Sequence, residues 1–127
     1  MNYARLWLGL GAVYGFLGVT LGAFGAHALR QRLSPEMLRA WHVGVEYQFY
    51  HALALLALGL LVLLRPAPGQ TLAGISFGLG ILLFSGSLYA LSLSGIRVLG
   101  AITPIGGLLF LLGWAGLVWS VWRSVPE

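Results

Sequence analysis

The stretch VGVEYQFYHALALLALGLLVLLRPAPG, residues 43–69, decides the fold. Residues 43–64 are apolar apart from a few polar side chains near their start. This length is close to the roughly 20 residues that an α-helix needs to cross a hydrocarbon core of about 30 Å. The RPAPG turn that follows cannot continue a helix, because proline lacks a backbone N–H and its ring clashes with the preceding turn. The stretch therefore predicts a membrane-spanning helix that ends before this turn.

The composition extends this prediction to the whole chain of 127 residues. Hydrophobic residues make up 59% of it, charged residues make up 8%, and the mean hydropathy is +0.91. A soluble domain has about 25% charged residues, so this chain has too few charges for a surface that faces water. Because cysteine is absent, disulfides, thiolate nucleophiles and cysteine-ligated metals are excluded. We expect neither a metal site nor a cofactor.

The net charge is +4, and all seven basic residues are arginines at the ends of apolar runs. This distribution suits phospholipid head groups, whereas a nucleic-acid-binding protein would cluster its basic residues on one face. We therefore expect the lipid bilayer as the partner and no nucleic acid. The first and third loops carry four arginines, Arg30, Arg32, Arg39 and Arg97, whereas the other side carries three, Arg5, Arg65 and Arg123. This excess predicts a cytoplasmic first loop.

Four apolar runs of spanning length predict an all-α integral membrane protein. Backbone polar groups in lipid must be satisfied within their own segment, so each run should be a helix. Ser34-Pro35 reads as a helix cap followed by a first-turn proline, and Thr103-Pro104 repeats that signal. Short connectors make neighbouring helices antiparallel, which predicts an up-down bundle of four transmembrane helices in one domain, 1–127. The predicted helices are 6–28, 35–64, 71–94 and 104–122.

Small residues form stripes on three of these helices. Lipid tails are as apolar as side chains, so helices in a membrane associate through close backbone approach and packing. On helix 1 the stripe alternates spacings of four and three: Gly11, Gly15, Gly18, Gly22 and Gly25. Helix 3 carries Gly74, Gly78, Ser85 and Ser92, and helix 4 carries Gly106, Gly113 and Ser120. We interpret the helix 1 stripe as packing within the bundle; the alternative is that it joins two chains.

Polar side chains gather in one half of the predicted bundle. They come from the ends of helices 1 and 3, the start of helix 2 and the third loop, which all lie on the same side. Counting about 20 residues back from Arg65 puts the bilayer boundary near Val45, and His51 then lies about 9 Å deeper. We expect one ligand-binding pocket here, formed by His27, Glu46, Tyr47, Gln48, His51, Ser85, Tyr89, Arg97 and Thr103.

Two contacts are expected in that pocket. An ionised group at the bilayer centre costs about 2.5–3.5 kcal/mol, and less near the interface, so Glu46 should pair with Arg97 or Arg30. His51 should be neutral and hydrogen-bonded to Tyr89, to a serine of helix 3 or to Glu46 of a neighbouring chain. The structural alternative is that these polar groups only hold helices together, at about 0.6 kcal/mol each.

Most enzymatic signatures are missing. There is no HExxH zinc motif and no GK[ST] phosphate loop. The serines of helix 3 have no nucleophile elbow around them. A channel would need a polar stripe through the full depth of the membrane. In this chain the helices carry mainly glycine and aliphatic residues in the other half of the membrane, which argues against a pore through one chain.

The motifs GAFGAH (22–27), GVEYQ (44–48), HALA (51–54), FSGSLY (84–89) and TPIGG (103–107) resemble domain-of-unknown-function family 423. That family includes bacterial YgdD-like inner-membrane proteins and animal transmembrane protein 256-like proteins. The resemblance covers nearly the whole chain in order. It implies a small multi-pass protein of the bacterial inner membrane, and it implies no activity. The positions carried over are Gly25, His27, Glu46, Tyr47, Gln48, His51, Ser85, Gly86, Ser87, Tyr89, Thr103 and Pro104.

Three functional hypotheses follow, and the first is preferred. The protein is a non-enzymatic binder of a lipid, a quinone or a similar amphiphile at the polar pocket. Alternatively, it is a structural or assembly subunit that packs against another membrane protein, or forms a homo-oligomer, through its glycine faces. The third hypothesis is a small intramembrane enzyme that uses His51 and Glu46 as acid–base groups.

Overall fold

The computed structural model describes residues 3–127, and four long α-helices account for most of them. They are α1 (Ala4–His27), α2 (Pro35–Leu64), α3 (Gln70–Ser94) and α4 (Thr103–Ser124), with a short 3-10 helix at Arg97–Ala101. Each end lies within two residues of the predicted bound, and the first two residues of the chain lie outside the described part. All four helices are long and apolar enough to cross a membrane. The predicted all-α membrane fold is confirmed.

The pair α2 and α3 forms the centre of the bundle. Helix α1 packs mainly on α2 and α4 packs mainly on α3, while α1 and α4 make no substantial contact with each other. The two outer helices bury less of their spans than the two central helices. Their outward faces carry large apolar side chains such as Phe16, Val19, Leu108 and Val118. In a membrane these faces contact acyl chains, which explains their apolar character.

Small residues let the helices approach closely, as the stripes indicated. A Cβ atom at Gly11 would lie 2.9 Å from the carbonyl oxygen of Ala52 on α2. Gly18, Gly22 and Gly25 also lie against side chains of α2, whereas Gly15 faces open space. On α4, the positions Gly106, Gly113 and Gly116 lie against α3. Helix α3 uses Gly74 and Gly78 towards α1 and Gly80 towards α4, so it carries small residues on two sides.

The helix starts differ in how they are capped. The Ser34 hydroxyl accepts a hydrogen bond from Met37 N at 3.2 Å, with Pro35 in the first turn, as the sequence predicted. Thr103 does not cap α4, because the preceding 3-10 helix already leads into it and the Thr103 hydroxyl bonds to Ser87 instead. The sequence signal therefore located the start of α4 but misidentified the role of its threonine.

Candidate functional site

The structure divides the nine residues of the predicted pocket instead of gathering them around one cavity. Gln48 and Tyr89 belong to a buried network, Tyr47 and His51 line a groove, and Arg97 lies in a surface ion pair. Ser85 and Thr103 make hydrogen bonds between helices, and His27 and Glu46 are exposed.

The Gln48 side chain connects three helices. Its Nε2 donates to the carbonyl oxygen of Tyr14 on α1 at 2.8 Å, and its Oε1 accepts from the Tyr89 hydroxyl on α3 at 2.6 Å. The Tyr14 hydroxyl in turn donates to the carbonyl oxygen of Gly78 at 2.8 Å. Gln48 is only 3% exposed. Buried polar groups must be hydrogen-bonded, so this network satisfies its own members and leaves little capacity for a ligand.

The hydroxyls of α3 serve as links to its neighbours. Ser85 donates to the carbonyl oxygen of Gly44 at 2.6 Å, and Ser92 contacts the carbonyl oxygen of Met37 at 3.0 Å, both on α2. The Ser87 and Thr103 hydroxyls lie 2.6 Å apart, which joins α3 to the first residue of α4. These residues hold helices together, which was the structural alternative to a binding role.

His51 uses both of its ring nitrogens inside the protein. Its Nδ1 lies 2.7 Å from the carbonyl oxygen of Tyr47, and since a carbonyl only accepts, Nδ1 carries the proton. Its Nε2 then accepts from the indole N–H of Trp114 at 3.1 Å. This pattern defines a neutral ring. Neither Tyr89 nor a serine of α3 bonds to His51 as expected, because Tyr89 donates to Gln48 and the α3 residue in ring contact with His51 is Phe77, which has no polar atom. Trp114 of α4 reaches Nε2 instead.

The ring of His51 forms the floor of an aromatic groove. It stacks on Phe110 with ring centroids 3.5 Å apart and planes 5° from parallel. Tyr47 stacks on Phe84 at 4.6 Å on the adjoining wall. The groove has a volume of about 390 Å³ and is almost entirely apolar. Its lining residues are Tyr47, Tyr50, His51, Phe84, Gly107, Phe110, Leu111 and Trp114, and we call this the aromatic groove.

Four aromatic residues of the groove were absent from the predicted pocket: Tyr50, Phe84, Phe110 and Trp114. A signal was available, because Phe110 and Trp114 are four residues apart and therefore share one face of α4. The positions of polar side chains do not reveal this groove, because its walls are mostly aromatic rings.

The predicted contact of Glu46 with Arg97 or Arg30 is wrong. Arg97 donates to both carboxylate oxygens of Glu36, at 2.9 and 3.3 Å, and both side chains are exposed. The 3-10 helix carries Arg97 over the first turn of α2, which lies about 15 Å along the helix from Glu46. Among the described residues Glu46 has no ion pair.

The positions of Glu46 and His51 on α2 limit what the aromatic groove can do chemically. Glu46 and His51 lie about 140° apart around α2, and both nitrogens of His51 are engaged, so the two residues do not form an acid–base pair. No three His, Asp or Glu side chains lie together within residues 3–127. An apolar cavity with a few polar groups at its edge is the usual form of a small-molecule site.

Comparisons with known proteins agree with the membrane fold. A model for the family described as "Protein of unknown function (DUF423)" matches residues 21–107. The chain is 45% identical over 115 residues to the UPF0382 membrane protein YwdK of Bacillus subtilis. The matched region covers 90% of this chain and 94% of the relative. The chain is 46% identical over 118 residues to a UPF0382 membrane protein of Haemophilus influenzae, covering 93% and 94%. It is 41% identical over 112 residues to the UPF0382 inner membrane protein YgdD of Escherichia coli, covering 88% and 86%. No solved structure matches.

Proposed function

This chain belongs to the DUF423 family of small membrane proteins, and from that premise we propose that it binds a quinone-like amphiphile without chemical conversion. The ligand is a flat, ring-shaped head group on a lipid-soluble tail, held in the aromatic groove. The observation that carries the proposal is the parallel stack of His51 on Phe110 at the floor of a groove that opens on the outer surface of the bundle.

The size and the walls of the groove support a ring as the ligand. A volume of about 390 Å³ lies at the lower end of the roughly 300–1,000 Å³ found for small-molecule sites. Aromatic rings prefer offset or edge-to-face contacts with centroids about 4.5–7 Å apart, and the groove offers such faces on both α2 and α4. A planar head group can therefore be held between the walls, while its tail remains among the acyl chains.

The polar groups at the groove fit carbonyl oxygens. Tyr47 and Tyr50 are 37% and 54% exposed, with their rings 5.5 Å apart. Their hydroxyls can donate to the two ring oxygens of a quinone. Since the nitrogens of His51 already have partners, the protein supplies packing and hydrogen bonds and no proton transfer. This supports binding over catalysis.

A titration of the detergent-solubilised protein tests the proposal. The probes are a naphthoquinone with one prenyl unit and, as a control, a prenyl alcohol of matched tail length without the ring. We expect at least tenfold tighter binding of the naphthoquinone, measured by native mass spectrometry, which corresponds to about 1.4 kcal/mol. Equal retention of the two probes would contradict recognition of a ring.

We also propose that the first loop faces the cytoplasm, because four arginines lie at the end of the bundle with the first and third loops and three lie at the other end. Both ends of the chain then lie on the opposite side of the membrane. A reporter enzyme that is active only outside the cytoplasm should be active when fused to the C-terminus. Activity of a cytoplasmic reporter at that position would reverse the orientation.

A further inference from the structure

Glu46 lies on the surface of α2 that faces away from the rest of the bundle. Two positions earlier, Gly44 faces Tyr89 of α3. One position earlier, Val45 packs against Gly22 of α1. Successive residues of an α-helix are about 100° apart, so the next position points away from both neighbouring helices. The Glu46 side chain is accordingly exposed, and in a membrane it faces lipid.

The level of Glu46 along the bundle is just inside the hydrocarbon. Gly22, which packs against Val45, lies about 8 Å before the end of α1 at His27. Every other charged side chain of residues 3–127 lies outside the four α-helices or within about two turns of a helix end. A charge at the level of Glu46 is costly unless it reaches the interface or pairs with a group of opposite charge.

Glu46 finds no such partner in its own chain. Within residues 3–127 its side chain takes part in no ion pair and no hydrogen bond. The residues one turn away on the same face are His42, whose ring packs against Gly25, and Tyr50, which is 54% exposed. Neither carries a fixed positive charge. The carboxylate is therefore accessible to a cation from outside the chain.

Lipid covers this face of α2, so a lipid head group can supply the cation. Leu53 lies on the same face, about 10 Å deeper, and is 61% exposed. A phospholipid whose acyl chain packs on Leu53 brings its head group to the level of Glu46. Side chains of a helix lean towards its N-terminus, and α2 begins at this membrane surface. The carboxylate therefore reaches towards the head groups.

The head group that fits a carboxylate best is one with a primary amine. A primary ammonium combines a positive charge with N–H donors, so it forms a short, charge-assisted hydrogen bond with a carboxylate. The quaternary ammonium of choline has the same charge and no N–H donor. An anionic head group without an amine offers the carboxylate no cation at all.

We propose that the outer face of α2 binds a phospholipid with a primary amine in its head group. The ammonium lies on Glu46, and an acyl chain packs along Leu53. The exposed ring of Tyr50 adds attraction for the cation. This site does not rest on quinone binding, since Glu46 and Leu53 do not line the aromatic groove.

Native mass spectrometry of the delipidated full chain tests this site. The probes are phosphatidylethanolamine, its N,N-dimethyl form and phosphatidylcholine, all with identical acyl chains. Each methyl group removes an N–H donor and leaves the positive charge, so the affinity should fall along this series. We expect the wild type to bind phosphatidylethanolamine at least fivefold more tightly than phosphatidylcholine. Glu46→Gln keeps the shape of the side chain and removes its charge, and this ratio should then fall below twofold.

The matched control is Glu36→Gln, because Glu36 lies at the same end of the bundle and is already paired with Arg97. This variant should keep the wild-type preference. The lipid-free melting temperature of Glu46→Gln should match that of the wild type, since the Glu46 side chain is exposed. This measurement separates loss of the site from loss of the fold.

Three lipid-binding results would overturn the proposal: equal binding of the lipids by the wild type, an unchanged preference in Glu46→Gln, or an equal loss in Glu36→Gln. A changed oligomeric state of Glu46→Gln with the lipid preference intact would also overturn it, because a second copy of the chain would then cover this face.

Discussion

Replacing Gly106 by alanine is expected to lower the free energy of unfolding by about 1–3 kcal/mol, and replacing it by valine by more. A Cβ atom at this position would overlap the backbone nitrogen of Phe84 on α3 and lie 2.7 Å from its Cα. A crowded side chain can rotate away, but a helix backbone cannot. The added methyl group must therefore push α4 away from α3, and this loosens the close packing that drives helix association in lipid.

The neighbouring glycine provides the control for this substitution. At Gly107 the nearest heavy atom to an added Cβ is Phe84 Cδ2 at 4.0 Å, which is ordinary contact. Both glycines have the same helical environment, so their intrinsic helix propensities cancel in the comparison. Unfolding in detergent with added sodium dodecyl sulfate would measure both variants. Equal stability of Gly106→Ala and Gly107→Ala would show that α3 and α4 do not cross here.

Gly107→Leu is expected to abolish most ligand binding and leave the fold intact. Gly107 lines the aromatic groove, so a leucine side chain would occupy space beside Phe110 and Leu111 that the proposed ring needs. We expect a loss of at least tenfold in affinity for the prenylated naphthoquinone, about 1.4 kcal/mol. The thermal melting temperature should stay close to that of the wild type, since the groove is open at this position.

The matched control for the groove is Gly9→Leu on α1. An added Cβ at Gly9 meets nothing within 4 Å, and Gly9 does not line the aromatic groove. This variant carries the same glycine-to-leucine change in a membrane-exposed helix, and it should bind the naphthoquinone like the wild type. Undiminished binding by Gly107→Leu, or an equal loss in Gly9→Leu, would place the ligand elsewhere.

The helices could be predicted from the sequence because their causes are local. The apolar run before Arg65 has the length of a membrane span, and the two prolines that follow it end α2 at Leu64. Likewise, the spacing of the glycines on α1 indicated close packing, although it did not identify the partner helix. Gly15 belongs to that stripe by spacing, yet it faces open space. Spacing alone therefore does not show which glycines of a stripe the partner helix covers.

The site could be predicted only in part, because it depends on the rotation of one helix against another. Hydrophobic runs place His51 at a depth, but they do not show that Trp114 of α4 reaches its Nε2. The partner of Arg97 was missed for a similar reason, since the 3-10 helix that directs it towards Glu36 carries no strong sequence signal. Polar residues in one half of a membrane protein thus indicated contacts between helices more reliably than they indicated a shared pocket.

The most direct measurement of the central claim is the response of the histidine ring signals to the prenylated naphthoquinone. The chain has three histidines, His27, His42 and His51, so two of them serve as internal controls in one nuclear magnetic resonance spectrum of the 13C-histidine-labelled protein. We expect the ring protons of His51 to shift progressively with added naphthoquinone, because a second aromatic ring then lies in the groove that His51 lines, while His27 and His42 stay unchanged. Unchanged His51 signals at saturating naphthoquinone, or equal shifts of all three histidines, would contradict binding in the aromatic groove.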